Sequence, residues 1–124
     1  MLINETQLPH LKITSENLNR HIAAAKKLAT CSRDGLWITI TYNEQKGFEG
    51  DLFRIPGFGL VVLTGVRVYD FRELNRMAQD TYEQEGFKNP RDYLSELARL
   101  YKGIPETFFV HTFLEINRSE NGRR

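Results

Sequence analysis

The chain has 124 residues, of which 40% are apolar and 27% charged, and its formal net charge at neutral pH is +1. These values are typical of globular proteins, and they exclude a disordered or fibrous chain and a uniformly basic nucleic-acid coat. The length suits a single domain, which we expect over residues 1–117, followed by a polar C-terminal tail over residues 118–124.

Cysteine content and hydropathy indicate the cellular compartment. Cys31 is the only cysteine, so a disulfide within the chain is impossible and nothing indicates an oxidising environment. No apolar run reaches membrane-spanning length, and the first residues lack the charged and then apolar pattern of a secretory signal. We therefore expect a cytoplasmic protein without a membrane partner.

The first half of the chain predicts one helix and three strands. Apolar side chains recur at three- and four-residue intervals over residues 15–27, which predicts a helix that Ser15 can cap. Period-two alternation and β-branched residues then predict three strands: residues 37–42, 52–55 and 60–69. Gly65, inside the third of these strands, indicates a β-bulge.

The second half predicts two helices and a last strand. Asp70 suits the cap of a helix that Gly86 ends, and Asn89 with Pro90 marks the start of the next helix. Residues 108–116 predict the strand. Because this order does not fit alternating βαβ units, we predict an α+β fold, a small mixed β-barrel with about three helices packed against it.

Charge is unevenly distributed along the sequence. Residues 1–33 carry five basic and two acidic side chains, whereas residues 70–96 carry seven acidic and four basic ones. The two segments could face each other across a cleft, or they could form two separately solvated helix faces. Charge counting does not decide between these interpretations.

A lysine and a hydroxyl lie three residues apart at the end of the first predicted helix. Desolvation could lower the pKa of Lys27 from about 10.4 toward about 7 or 8, so that Lys27 could act as a base and activate Thr30. The structural alternative is that Lys26, Lys27 and Arg33 complement the carbonyl end of the helix while Thr30 starts a strand.

Three features follow one another in a characteristic order. They are Gly50-Asp51 ahead of the strands, the segment Glu83-Gln84-Glu85-Gly86-Phe87, and a helix ending at Leu100-Tyr101 before the strand Phe109–Phe113. In this order the chain resembles the ASCH domain of the PUA-like superfamily over about residues 11–117. The resemblance implies a PUA-like barrel whose partner is a modified nucleoside or RNA.

The family motif Gly-x-Lys-x-x-Thr-x-Arg, or a close variant, falls on Ala25, Lys27, Thr30 and Ser32. The lysine and the threonine agree with it, whereas alanine stands for the glycine and the arginine is displaced by one residue to Arg33. A one-residue shift in a strand turns a side chain to the other face. We therefore expect Arg33 to serve the site only if a bulge near Ser32 restores its direction.

The resemblance extends to a small bacterial branch of N(4)-acetylcytidine amidohydrolases. It implies that Lys27 is the proton acceptor, Thr30 the nucleophile and Glu85 the proton donor, all three on the wall of one pocket. For Glu85 the alternative is a solvated carboxylate at a helix end. Candidate residues for substrate or RNA binding are Lys26, Ser32 and Arg33.

Two function classes remain open at this level, with a weaker third. The first is an amidohydrolase that removes an acyl group from N(4)-acetylcytidine or a related nucleoside. The second is a noncatalytic RNA- or nucleotide-binding module, which the displaced arginine favours. Ribonuclease activity is the third.

The remaining histidines and aromatics give weaker signals. Three histidines lack the spacing of metal ligands, so we expect no metal and no other cofactor: His10, His21 and His111. Three aromatic residues could stack on a base, although strand aromatics more often fill a core: Trp37, Tyr42 and Phe58.

Overall fold

Within residues 8–28 and 35–116, which the computed structural model describes, the chain forms three α-helices and one four-stranded sheet. The elements in chain order are α1 (Ser15–Leu28), β1 (Trp37–Tyr42), β2 (Leu52–Ile55), β3 (Gly59–Asp70), α2 (Leu74–Thr81), α3 (Pro90–Tyr101) and β4 (Thr107–Glu115). A short 3-10 turn, Phe71–Glu73, leads into α2. The α+β class is confirmed.

Local capping chemistry sets the helix starts. Asn89 accepts a hydrogen bond from the Asp92 backbone N–H at 2.8 Å, and Pro90 occupies the first turn of α3, as predicted. Asp70 caps the 3-10 turn that precedes α2. For α1 the capping hydroxyl belongs to Thr14, which accepts from the Asn17 N–H at 3.1 Å, one residue earlier than expected.

The sheet is antiparallel throughout, in the order β1-β4-β3-β2. The register of β3 against β4 shifts between Leu63 and Gly65, which confirms the predicted bulge. The sheet contributes to two hydrophobic clusters. The first, under α1, contains Val61 and Leu63 from the part of β3 before the bulge, and the second, under α2 and α3, contains Tyr69 from the part after it.

The predicted mixed barrel is not confirmed. The two edge strands, β1 and β2, do not pair with each other in the described part of the chain, so the sheet stays open. Four strands are too few to close around a packed interior. A segment ahead of α1 spans the gap instead: Pro9 and Leu11 exchange backbone hydrogen bonds with Arg54 of β2, at 2.9 and 3.0 Å. From β1, the Tyr42 hydroxyl donates to the Lys12 carbonyl at 3.4 Å.

None of the helices in the described ranges combines the length and the apolar character needed to cross a bilayer.

Candidate functional site

A cavity of about 360 Å³ opens between α1, β1, α3 and the turn that follows α2. This volume lies within the range of small-molecule sites. Four aromatic side chains contribute to its lining: Tyr42, Phe87, Tyr93 and Tyr101. Polar and charged side chains also face it, among them Asn17, Arg20, His21, Thr41, Glu85 and Glu96.

Glu85 enters this cavity because the chain turns sharply at Gly86. Gly86 has a φ of 88°, and a Cβ at this position would lie 2.7 Å from Arg20 Cγ and 2.9 Å from the Arg20 carbonyl oxygen. Only glycine combines the left-handed backbone with so close an approach to α1. As a result Glu85 is 3% exposed, and the alternative of a solvated helix-end carboxylate is wrong.

The Glu85 carboxyl group belongs to a short chain of hydrogen bonds. The Thr41 hydroxyl donates to Glu85 Oε2 at 2.5 Å, and the same hydroxyl lies 2.6 Å from the Tyr93 hydroxyl. Arg20 Nε donates to the backbone carbonyl of Glu85 at 2.8 Å. The arginine therefore fixes the turn, while Thr41 and Tyr93 hold the carboxyl group.

Burial controls the ionisation of this site. It raises the pKa of Glu85 from its ordinary 4.5 to about 7, although the hydrogen bond from Thr41 and the charge of Arg20 act in the opposite direction. Burial and the Arg20 charge lower the pKa of His21 to about 3. His21 is therefore neutral at pH 7, and its 3.8 Å approach to Glu85 Oε1 is not an ion pair.

The His21 ring contacts the Arg20 guanidinium, with Arg20 Nη2 at 3.4 Å from His21 Nε2. His21 Nδ1 is buried and has no hydrogen-bond partner among the described residues. His111 differs, because its Nδ1 pairs with the Phe109 carbonyl at 2.9 Å and its Nε2 accepts from the Lys46 N–H at 3.0 Å.

A few charged residues of both segments line the cavity. Lys12 and Arg20 come from the N-terminal segment, and Glu85 and Glu96 come from the acidic one. Lys26 and Lys27 are exposed outside the cavity, so both interpretations of the charge distribution apply in part.

The predicted site residues are not all brought together. Glu85 lines the cavity, whereas Lys27 is exposed at the end of α1 and lines a separate groove beside Glu83 and Lys88. Lys26 is also exposed. Thr30, Ser32 and Arg33, with the bulge expected near Ser32, lie outside the described residues. The catalytic roles of Lys27 and Thr30 therefore stay predictions.

Sequence reasoning missed most of the groups around Glu85. Thr41 lies within a predicted strand and Tyr93 within a predicted helix, and the sequence pattern indicates no role for either hydroxyl. A hydroxyl inside an otherwise apolar stripe is the signal that could have identified them, because such a group requires a buried partner. Arg20 and His21, within the first predicted helix, carried no comparable signal.

The three aromatic candidates have different positions. Tyr42 lines the Glu85 cavity, Phe58 is half-buried against the first hydrophobic cluster, and Trp37 is 49% exposed. Trp37 lies at a second depression of about 410 Å³, which Arg67 and Gln84 also line. The described residues contain no group of three side chains placed to hold a metal ion.

The buried carboxyl group makes a prediction about stability. Folded Glu85 keeps its proton up to a pH of about 7 and unfolded Glu85 only up to about 4.5, so the wild type loses stability as the pH rises through this window. Glutamine does not titrate. The free energy of unfolding of Glu85→Gln, relative to that of the wild type, should therefore rise by an amount on the order of 3 kcal/mol as the pH rises between these two values.

Urea unfolding at a series of pH values measures this difference. His21 acts in the opposite direction, since its stability contribution is lost as the pH falls from 6.5 toward 3, and it is present in both proteins. Glu83→Gln, at an exposed position, is the matched control and should show no such gain. A difference between Glu85→Gln and wild type that stays constant over the window would contradict the prediction.

No protein-family model, curated protein or solved structure matches this chain. The ASCH resemblance is therefore a prediction from the sequence, and the candidate site is defined by its own geometry.

Proposed function

We propose that the cavity binds the base of a modified nucleoside, either free or within an RNA, and that Glu85 is its principal hydrogen-bonding group. The observation that carries this proposal is a carboxyl group, 3% exposed, within an aromatic-lined cavity of about 360 Å³.

A nucleobase suits these surroundings for two reasons. Its flat ring can pack against aromatic side chains such as Tyr42, Phe87 and Tyr101, and its edge carries the donors and acceptors that a buried carboxyl group can recognise. Glu85 also lies in the segment that resembles the ASCH family. Both lines of reasoning lead to the same residue.

Binding with Glu85→Gln tests the proposal. Calorimetric titration with cytidine, N(4)-acetylcytidine, uridine and short RNAs should find at least one ligand for the wild type. At a pH above the Glu85 pKa of about 7, Glu85→Gln should weaken its binding about tenfold or more, because a buried charge-assisted hydrogen bond contributes roughly 1.5–3 kcal/mol. Glu83→Gln makes the same chemical change at an exposed position and should leave affinity unchanged. Equal affinities of Glu85→Gln and wild type would contradict the proposal, as would failure of every ligand to bind.

A second candidate function is hydrolysis of the acetyl group of N(4)-acetylcytidine, and one observation favours it. With a pKa of about 7, Glu85 retains its proton in a sizeable fraction of molecules at neutral pH, as a proton donor requires. In this reaction water adds across the amide bond, acetate leaves, and the N4 nitrogen takes up a proton to give cytidine. The exposed position of Lys27, away from the cavity lining, favours the noncatalytic binding module.

A further inference from the structure

The hydrogen-bond chain of Glu85, Thr41 and Tyr93 has a fixed number of protons to share. All three side chains line the cavity, and their exposed fractions are 3%, 4% and 0%. Two contacts join them, at 2.5 Å from Thr41 Oγ1 to Glu85 Oε2 and at 2.6 Å from Thr41 Oγ1 to the Tyr93 hydroxyl oxygen.

With the carboxyl group ionised, the two contacts use every proton of the chain. The carboxylate can only accept, so Thr41 donates its one proton to Glu85, and Tyr93 must then donate its own proton to Thr41. A ligand in the cavity meets no free donor from these three groups. It meets acceptors only, Glu85 Oε1 and the remaining lone pair of the Tyr93 oxygen.

With the carboxyl group protonated, the chain has three protons for the same two contacts. One proton is left over in every arrangement, whether it sits on Glu85 Oε1 or passes along the chain so that Tyr93 presents its hydroxyl hydrogen. The chain then offers a ligand one hydrogen-bond donor. A single protonation event thus changes the hydrogen-bonding polarity of the cavity.

We propose that the Glu85–Thr41–Tyr93 chain selects the ligand by this polarity. The ionised chain binds a nucleobase edge that carries an amino group. The protonated chain binds an edge that presents a hydrogen-bond acceptor, either a ring nitrogen or a carbonyl oxygen. This inference rests on the proposed function, since it assumes that a nucleobase occupies this cavity.

Several groups face Glu85 from the surrounding elements: Arg20 and His21 from α1, Tyr42 from β1, Arg67 from β3, and Tyr93 and Tyr101 from α3. The ring of His21 stays neutral near pH 7, because its pKa is lowered to about 3. The phenols keep their protons, because burial raises the pKa of Tyr101 to about 12 and those of Tyr42 and Tyr93 further. Guanidinium groups stay charged. Glu85, with its pKa of about 7, is the member of this group that changes its charge near neutral pH.

Two ligands that differ by one amino group test the inference. Cytidine carries the amino group at C4, and 2-pyrimidinone ribonucleoside has hydrogen there while keeping the ring-nitrogen acceptor. Between about pH 6 and about pH 8, the ionised fraction of a group with a pKa of about 7 rises about tenfold. Calorimetric titration should therefore find that the affinity for the analogue falls about tenfold over this interval, whereas the affinity for cytidine changes far less, because cytidine offers its amino group to the ionised chain and its ring nitrogen to the protonated chain.

Two variants separate this mechanism from a general effect of pH. Glu85→Gln offers a donor and an acceptor at every pH, so both affinities should become independent of pH, whereas Glu83→Gln should keep the wild-type profile. Thr41→Val keeps the shape of the side chain but removes the hydrogen bond that stabilises the carboxylate. It should shift the profile of the analogue to higher pH, an effect that a purely structural role of Thr41 would not produce.

A fall in the affinity for the analogue with rising pH that cytidine does not share supports the inference. A flat profile for the analogue, or an equal fall for both ligands, would overturn it and leave nucleobase binding in place. Failure of both ligands to bind at every pH would overturn the inference, and failure of every nucleoside and RNA would overturn the proposed function as well.

Discussion

If the protein hydrolyses N(4)-acetylcytidine, replacing Glu85 by glutamine should slow the release of acetate by about 10²- to 10⁴-fold, the usual contribution of one acid-base group. The amide keeps the shape of the side chain but cannot transfer a proton to the departing N4 nitrogen. Chromatographic separation of cytidine from its acetylated form measures the rate. Glu83→Gln, exposed and two residues away, should retain the wild-type rate.

The same assay tests the two residues that the ASCH resemblance adds. If Lys27 is the base and Thr30 the nucleophile, Lys27→Ala and Thr30→Ala should each abolish turnover, because residues that act as a unit fail together. Lys88→Ala alters an exposed lysine that has no predicted role in the site and serves as the control. Turnover that survives Lys27→Ala but not Glu85→Gln would reject Lys27 as the base. A wild-type protein that binds the nucleoside without releasing acetate would establish the binding module instead.

Gly86→Ala should lower the stability of the fold and disturb the Glu85 turn together. A left-handed backbone costs alanine about 1–2 kcal/mol of stability relative to glycine. The alanine Cβ would also lie 2.9 Å from the Arg20 carbonyl oxygen, and this crowding lowers stability by roughly a further 1–3 kcal/mol. The Arg20 contact to the Glu85 carbonyl would be strained at the same time. Thermal unfolding should therefore show a clear decrease in Tm relative to wild type.

Gly50→Ala is a matched control for this variant. Gly50 also has a positive φ, 97°, but a Cβ there would have nothing within 4 Å, so its substitution isolates the backbone contribution. The extra loss in Gly86→Ala then measures the crowding against α1. Equal losses of stability in the two variants would show that the close approach of Gly86 to α1 has no energetic consequence.

Most of the secondary structure could be predicted because its signals are local. The alternation over residues 37–42 matches β1, Gly65 coincides with the register shift in β3, and Asn89 with Pro90 starts α3. Each of these signals comes from residues within one turn or one strand. Closure of the sheet into a barrel has no such local signal, because it depends on how many strands pair and on which segment covers the open edge.

The candidate site was predictable only in part, and for the same reason. Glu85 was identified through a family resemblance, but a carboxylate at a helix end is ordinarily solvated, so its burial had no signature in the sequence. Its partner Thr41 lies 44 residues earlier in the chain, in β1. The other partner, Tyr93, lies in α3, 52 residues after Thr41. Side-chain contacts from α3 and from the turn after α2 to Thr41 of β1 bring them together.

The segment that runs beside β2 has a consequence for association between molecules. An uncovered edge strand presents unpaired N–H and C=O groups, and these can recruit a strand from another chain and start aggregation. Pro9 and Leu11 occupy the backbone groups of Arg54 at this edge, and the ring of Pro9 leaves no N–H of its own for further pairing. The stretch that spans the open sheet thereby also protects the protein from intermolecular β-pairing along β2.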